Sequence, residues 1–148
     1  MNVQWIPRVW KIARHATAHE VEALERAWGV ELPEDYKRVA MMHQGMAPEP
    51  CVIDTDRGNV VMSELLLITE SEEFRAYSMS DTYKLIQPHV PVGIYPFAST
   101  ANGDFLCFDY RGSPSAPRVV FYFTEASGED AMEPVAEDFS HLLSRLHD

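Results

Sequence analysis

The sequence predicts one folded domain that combines helices with a hairpin-connected sheet, and three features point that way. Thr17-Ala18-His19-Glu20 has the spacing of a capping box, in which a hydroxyl and a carboxylate satisfy the orphan amides of a helix start. Asn102-Gly103 stands between two apolar runs, where a dipeptide tolerant of positive φ signals a hairpin. The 148 residues, 46% hydrophobic and 24% charged, suffice for a core and lie outside the composition of a disordered chain. No repeat, linker or second unit interrupts residues 1–148.

Residues 5–14 carry Trp5, Ile6, Val9, Trp10, Ile12 and Ala13 and read as a short amphipathic lead-in, with Pro7 compatible with a first helical position. After the capping box, Val21, Leu24 and Trp28 recur on one helical face until Gly29 stops the helix. Leu32-Pro33-Glu34-Asp35-Tyr36 opens a second helix. Proline is tolerated in its first turn, the two acids suit the positive end of the dipole, and Gly45 ends it. Tyr36, Val39, Ala40 and His43 share one of its sides. Short extended pieces follow at 51–53 and 59–62, around the turn-like residues 54–58. Residues 65–68 are apolar, and periodicity does not separate a buried helical turn from a strand. Residues 71–85 read as a helix with Phe74, Tyr77 and Leu85 inward.

Strands are expected at 92–98, 104–111 and 118–124, the last two joined by the proline-bearing loop 112–117. Along the middle strand, Phe105, Cys107 and Asp109 share one face and Leu106, Phe108 and Tyr110 the other. Both faces are largely apolar, which marks a central strand covered on each side. Asp109 stands out there, because a carboxylate among apolar residues is costly unless solvated, paired or hydrogen-bonded. Residues 135–146 return to helical spacing with Val135, Phe139, Leu142, Leu143 and Leu146.

The formal net charge is −11. An acidic surface repels nucleic acid and anionic membranes and favours basic partners, although taken alone it also serves solubility. The acids cluster at Glu20, Glu22, Glu25, Glu31, Glu34 and Asp35 and again at Glu129, Asp130, Glu133, Glu137 and Asp138. If the two clusters share a face, they form one anionic surface. The opening residues hold no signal peptide and the chain no apolar span, so a cytoplasmic location is expected.

Few residues of the chain point to chemistry. His15 and His19 have the i,i+4 spacing of a metal pair, but Thr17 as a cap breaks the helix between them, and surface histidines are the better reading. Ala23 stands where a zincin motif beginning at His19-Glu20 would need its second histidine. Cys51 and Cys107 show neither metal nor disulfide spacing, and Cys107 reads as a buried thiol. Asp104 and Asp109 are five apart, on opposite faces of a strand, and make no acid–base pair. No catalytic residue, metal or cofactor is expected. Asp109 reads as a structural acceptor that fixes a neighbouring loop.

Residues 24–37, with Leu32-Pro33-x-x-Tyr36 at their heart, resemble the opening motif of the SUKH superfamily, which contains the Smi–Knr cell-wall-regulator proteins. Gly103-Asp104-x-x-Cys107-Phe108-Asp109-Tyr110 resembles its second motif and residues 135–143 its closing helix. His43-Gln44-Gly45 departs from the Asn-Gly-Gly common in the family at the end of the second helix. The resemblance implies an α+β domain with helices packed on a curved, largely antiparallel sheet. It also makes Leu32, Pro33, Tyr36, Gly103, Asp104 and Asp109 structural.

Functionally, the resemblance implies an immunity protein that neutralises a polymorphic toxin, many of which are nucleases and basic where they grip phosphate. The expected partner is therefore a basic toxin domain, bound stoichiometrically by acids chosen for charge and exposure: Glu129, Asp130 and Glu133, then Glu31, Glu34 and Asp35. The alternative is a general interaction or regulatory module with a host protein partner. A hydrolase using Cys107 or Asp109 ranks last.

Overall fold

The computed structural model describes residues 3–9 and 15–148. The elements run β1 (Gln4–Pro7), α1 (Ala18–Trp28), α2 (Glu34–His43), β2 (Met46–Glu49), β3 (Val52–Thr55), β4 (Gly58–Leu65), α3 (Met79–Ile86), β5 (Ile94–Thr100), β6 (Phe105–Asp109), β7 (Arg118–Tyr122), β8 (Met132–Ala136) and α4 (Phe139–Arg145). Strands β3 to β8 form a six-stranded antiparallel meander in sequence order, and β1 pairs with β2 in a separate two-stranded ribbon. This is an α+β fold.

Local chemistry explains the helix starts. The Glu20 amide donates to Thr17 Oγ1 at 3.1 Å and the Thr17 amide to Glu20 Oε1 at 3.1 Å, closing the capping box. Gly29 ends α1 at φ 71°, in the left-handed region. Ser78 caps α3 through the Asp81 amide, and Asp138 caps α4 through the His141 amide.

The sheet is covered on both faces. On one side, Tyr36 of α2 is fully buried and meets Phe97, Phe108 and Phe139 edge-on at centroid distances of 5.7, 5.0 and 5.4 Å. Its hydroxyl donates to Met79 Sδ at 3.0 Å. Phe97 and Phe108 stack at 4.3 Å. On the other side, Ile86, Ile94, Cys107, Val120, Tyr122 and Ala131 make a smaller cluster. The middle strand therefore sorts as its alternation predicts, with Leu106, Phe108 and Tyr110 in the larger cluster and Cys107 in the smaller. Register slips between Pro96 and Ala98, where a proline without an N–H is tolerated.

The sheet curls until its ends nearly meet. The β3–β4 turn reaches β8, where the Asp56 amide donates to Glu133 Oε2 at 2.7 Å and Arg57 Nη1 lies 3.5 Å from Glu133 Oε1. Arg57 also donates to the Asp130 carbonyl and lies over the Phe123 ring. His147 exchanges two backbone hydrogen bonds with Val52 and so covers part of the β3 edge.

Several expectations give way to tertiary context. Residues 4–7 form an edge strand rather than the start of a helix, because pairing with Met46–Glu49 satisfies their backbone. Trp10, Ile12 and Ala13 lie outside the described residues. The span 71–85 breaks at Ser78 into a 3₁₀ turn (Glu72–Tyr77) and α3. The new cap rotates the helical phase, so Met79, Thr82 and Ile86 are buried while Tyr77 and Leu85 face solvent and Phe74 is only partly covered. Val135 belongs to β8, and the last helix starts only after Asp138. At the 102–103 turn Gly103 alone takes positive φ (87°). Thr100 and Asp104 bond across it, giving a longer loop than a two-residue turn.

The contacts of Tyr36 predict a separable pair of effects. Tyr36→Ala is expected to lower unfolding free energy by about 3–5 kcal/mol, in the range for deleting a large core side chain. Tyr36→Phe, which removes only the hydroxyl, is expected to cost less than about 1.5 kcal/mol. Urea denaturation of both variants measures this, and equal losses would place the stabilisation in the hydroxyl rather than the ring.

Candidate functional site

The polar groups of the family-like strand are anchors. Asp104 Oδ1 accepts from the amide and hydroxyl of Thr124 at 2.9 and 2.8 Å and so fixes the end of β7. Asp109, 2% exposed, accepts from the amide and Nε of Arg111 at 2.9 and 3.0 Å, from Arg111 Nη2 at 2.9 Å and from Arg118 Nε at 2.9 Å. Burial alone would raise its pKa; the hydrogen bonds from the Arg111 side chain and backbone and from Arg118 outweigh that and hold it below the ordinary carboxylate value. The two arginines flank residues 112–117, so Asp109 clamps both ends of that loop. Arg111 also pairs with Glu129.

The other reactive side chains are placed apart. Burial, and secondarily the Asp109 charge, push the Cys107 thiol far above its ordinary pKa, away from nucleophilic use. His43 lies elsewhere, stacked on Trp5 at 5.8 Å, and does not meet Cys107. His15 and His19 are exposed, and His15 precedes the helix that holds His19. Among the described residues, no group of three histidine, cysteine or acidic side chains is arranged to hold a metal ion.

The acids fall into two sets. Glu34 pairs with Lys37 at 3.0 Å, and Lys37 reaches Glu25 at 3.3 Å. Asp35 turns inward, with Oδ2 accepting from the amide and hydroxyl of Ser140 at 3.1 and 2.6 Å, which joins α2 to α4. Glu31 is exposed and its carbonyl accepts from the Tyr110 hydroxyl at 2.6 Å. In the second set, Glu129 and Asp130 lie exposed on a 3₁₀ turn (Gly128–Ala131), and Glu133 is mostly covered beneath Arg57. Ala131 packs into the smaller cluster, whereas Tyr110 packs into the larger one. Glu133 stands opposite Phe121 of the larger cluster, and the turn bearing Glu129 reaches Arg111 at the end of β6, so the second set borders the β8 edge of the sheet.

Glu25 was legible only as one acid among several, yet it holds the helix pair together. Its Oε2 accepts from the Leu32 amide at 2.7 Å, a donor left orphaned where the chain turns into Pro33. With Glu22, Arg26, Gly29, Val30, Glu31, Pro114 and Ser115 it lines an open groove between the α1–α2 connection and the loop after β6. Three carboxylates and one arginine give that groove a negative bias suited to a cationic protein segment.

Residues 15–145 match the model of the SMI1/KNR4 family (SUKH-1). The chain belongs to this family. No curated protein matches it significantly. SUKH domains are generally non-catalytic immunity or regulatory proteins that act through protein–protein contacts. The segments that resemble family motifs take on physical meaning here. Leu32 and Tyr36 are buried, Pro33 starts α2, Gly103 takes the positive φ of its turn, and Asp104 and Asp109 pin loops. None of the helices in the described SUKH domain is long and apolar enough to cross a membrane.

The Asp109 clamp carries a stability prediction. Asp109→Ala is expected to cost about 2–3 kcal/mol, below the 3–5 typical of a fully buried pair because both arginines reach solvent. Since its folded pKa is depressed, the contribution is present above the unfolded carboxylate value and lost as pH falls through the folded one. Urea denaturation across pH 2–7 is expected to show the variant's deficit shrinking toward the acid end. A deficit independent of pH would contradict the ionic account.

Proposed function

We propose that the chain is a cytoplasmic immunity protein that binds a cognate polymorphic toxin of nuclease type and blocks it stoichiometrically, without catalysis. The observation that carries this reading is the acid-lined groove beside the family's own helix pair, in a chain of net charge −11. A nuclease surface is basic where it holds phosphate, so an acidic surface of matching shape competes for the same ground. Residues 1–148 act as one SUKH-like unit in this account. Glu31, Glu34 and Asp35, with Glu22 beside them, are the proposed contacts on the helix side. Glu129, Asp130 and Glu133 are those beside β8.

The electrostatic part of such binding speeds encounter and weakens with salt. Binding energy concentrates in a few residues, so one of the two acidic surfaces is expected to dominate.

Co-expression with the toxin encoded beside its gene tests the reading: the chain is expected to restore growth, and continued killing would overturn it. Within a protective pair, Glu22→Lys with Glu31→Lys is expected to raise Kd at least about tenfold, or 1.4 kcal/mol, without changing the thermal midpoint. Glu129→Lys with Asp130→Lys reports on the other surface. Calorimetric titration at two salt concentrations separates the two pairs of substitutions.

A further inference from the structure

On the face of the sheet that carries the smaller cluster, the end of α3 and the 3₁₀ turn after it (Gln87–His89) leave a hollow of ≈ 360 Å³. Leu85, Ile86, Phe105 and Tyr122 make its apolar walls, and His89, Gly103 and Thr124 complete it. Ligand sites run from about 300 to 1,000 Å³, so this one is of the size for a single ring. Leu85 is 68% exposed at its rim. The cluster beneath includes Ala126, Ala131 and Met132, from the stretch that also bears Glu129 and Asp130.

Tyr122 gives the hollow its chemistry. Four of the described tyrosines are buried, and three of them place their hydroxyls on acceptors: Tyr36 on Met79 Sδ, Tyr95 on the Trp28 carbonyl and Tyr110 on the Glu31 carbonyl. Tyr122 is 2% exposed, yet its hydroxyl has no hydrogen-bond partner among the described residues. Nor is it one of the polar atoms that the fold seals off, so it opens on the hollow that Tyr122 lines. Burial, and after it the neighbouring Cys107 and Asp104, push its pKa up, so it keeps its proton and stays a donor. A tyrosine buried this far ordinarily has a partner.

An occupant that completes this site is apolar, ring-sized and able to accept a hydrogen bond. Phenylalanine and leucine accept none, while tryptophan, arginine and lysine only donate. A carboxylate accepts but brings charge into apolar surroundings near Asp104. Tyrosine meets all three conditions, since its hydroxyl accepts from Tyr122 and keeps a proton for a group at the rim such as His89 or Thr124. We propose that this hollow receives one tyrosine side chain of a protein partner, whose hydroxyl accepts a hydrogen bond from Tyr122. The inference rests on the immunity reading for the identity of that partner, though not for the chemistry of the hollow. Tyrosine is enriched among interface hot spots, and through Ala126, Ala131 and Met132 the hollow adjoins a turn already proposed as a contact.

The probe is Nα-acetyl-tyrosine amide, with Nα-acetyl-phenylalanine amide as the control that lacks the hydroxyl, titrated into the ¹⁵N-labelled full chain. Saturable shifts are expected at Leu85, His89, Gly103 and Thr124. The tyrosine compound is expected to bind about twofold to tenfold more tightly than the control, the range of one hydrogen bond. Tyr122→Phe is expected to erase that preference. It leaves the control's Kd and the thermal midpoint unchanged, because the hydroxyl holds nothing in the free chain. Leu85→Gln, an exposed change between good helix formers, is expected to weaken both compounds at least about threefold. Absent or unsaturable shifts, shifts mapping elsewhere, equal binding of the two compounds, a preference that survives Tyr122→Phe, or a midpoint lowered by it would overturn the proposal.

A second arm measures Kd for the toxin encoded beside the gene, which Tyr122→Phe is expected to raise about twofold to tenfold and Leu85→Gln at least about threefold. Wild-type binding that either variant matches overturns the hollow as a partner's anchor, even where the tyrosine compound binds. Failure of the wild type to bind the toxin overturns the immunity reading instead, while the tyrosine titration still decides the hollow.

Discussion

The fold depends on Tyr36. Pro33 sets the start of α2, and one turn later the ring of Tyr36 enters the space between α2, α4 and the stacked Phe97 and Phe108 of the sheet. Its hydroxyl needs a partner in that dry site and finds Met79 of α3. One side chain therefore holds three helices against the two strands that run through the middle of the sheet. Phe108 belongs to the second of the segments that resemble family motifs, so two segments distant in sequence are the two halves of one aromatic contact. Conversely, the acids within those motifs serve as fasteners. Asp104 holds Thr124, and Asp109 holds the two arginines around residues 112–117.

This division of labour assigns function to the periphery. The interior contacts of β6 occupy both of its faces, and its one buried carboxylate is already saturated by arginine donors. The groups with freedom to meet a partner lie on α1, on the α1–α2 connection and on the 3₁₀ turn bearing Glu129 and Asp130. Their charge is not evenly available. Asp35 and Glu133 also bind Ser140 and Arg57 of the same chain, which fixes their direction, whereas Glu31 and Asp130 stand outward. An acidic composition thus resolves into a smaller number of directed charges. Two hollows flank α1, one broad and acidic and the other narrow with an apolar floor.

Much of the fold was legible where local chemistry decides it. The capping box, Gly29 and the alternation along 105–110 each specify their geometry through neighbouring residues. The misreadings share a physical cause, because apolar spacing reports which residues meet and not which element carries them. Val135 and Phe139 are four apart and enter the same cluster, yet Val135 does so from β8, paired with β7, and Phe139 from a helix capped by Asp138. Trp5 and Ile6 lie on a strand because residues 46–49, distant in sequence, offer hydrogen bonds. At Ser78 a single hydroxyl cap reset the helical phase and turned Leu85 outward. For the candidate site, charge was readable but its direction was not. Glu25 could have been suspected, since the Leu32-Pro33 step leaves an amide in need of an acceptor, but which acid answers it depends on the helix-pair angle.

Hydrogen exchange followed by mass spectrometry, on the free chain and on its complex with the toxin that it protects against, tests the central claim most directly. The amides of β5, β6 and β7 are expected to exchange only through global unfolding in both states. New protection on binding is expected in α1, the α1–α2 connection and the loop after β6. Protection gained in the β6 amides themselves, or rapid local exchange of that strand in the free chain, would contradict the account of a fixed core serving a peripheral acidic surface.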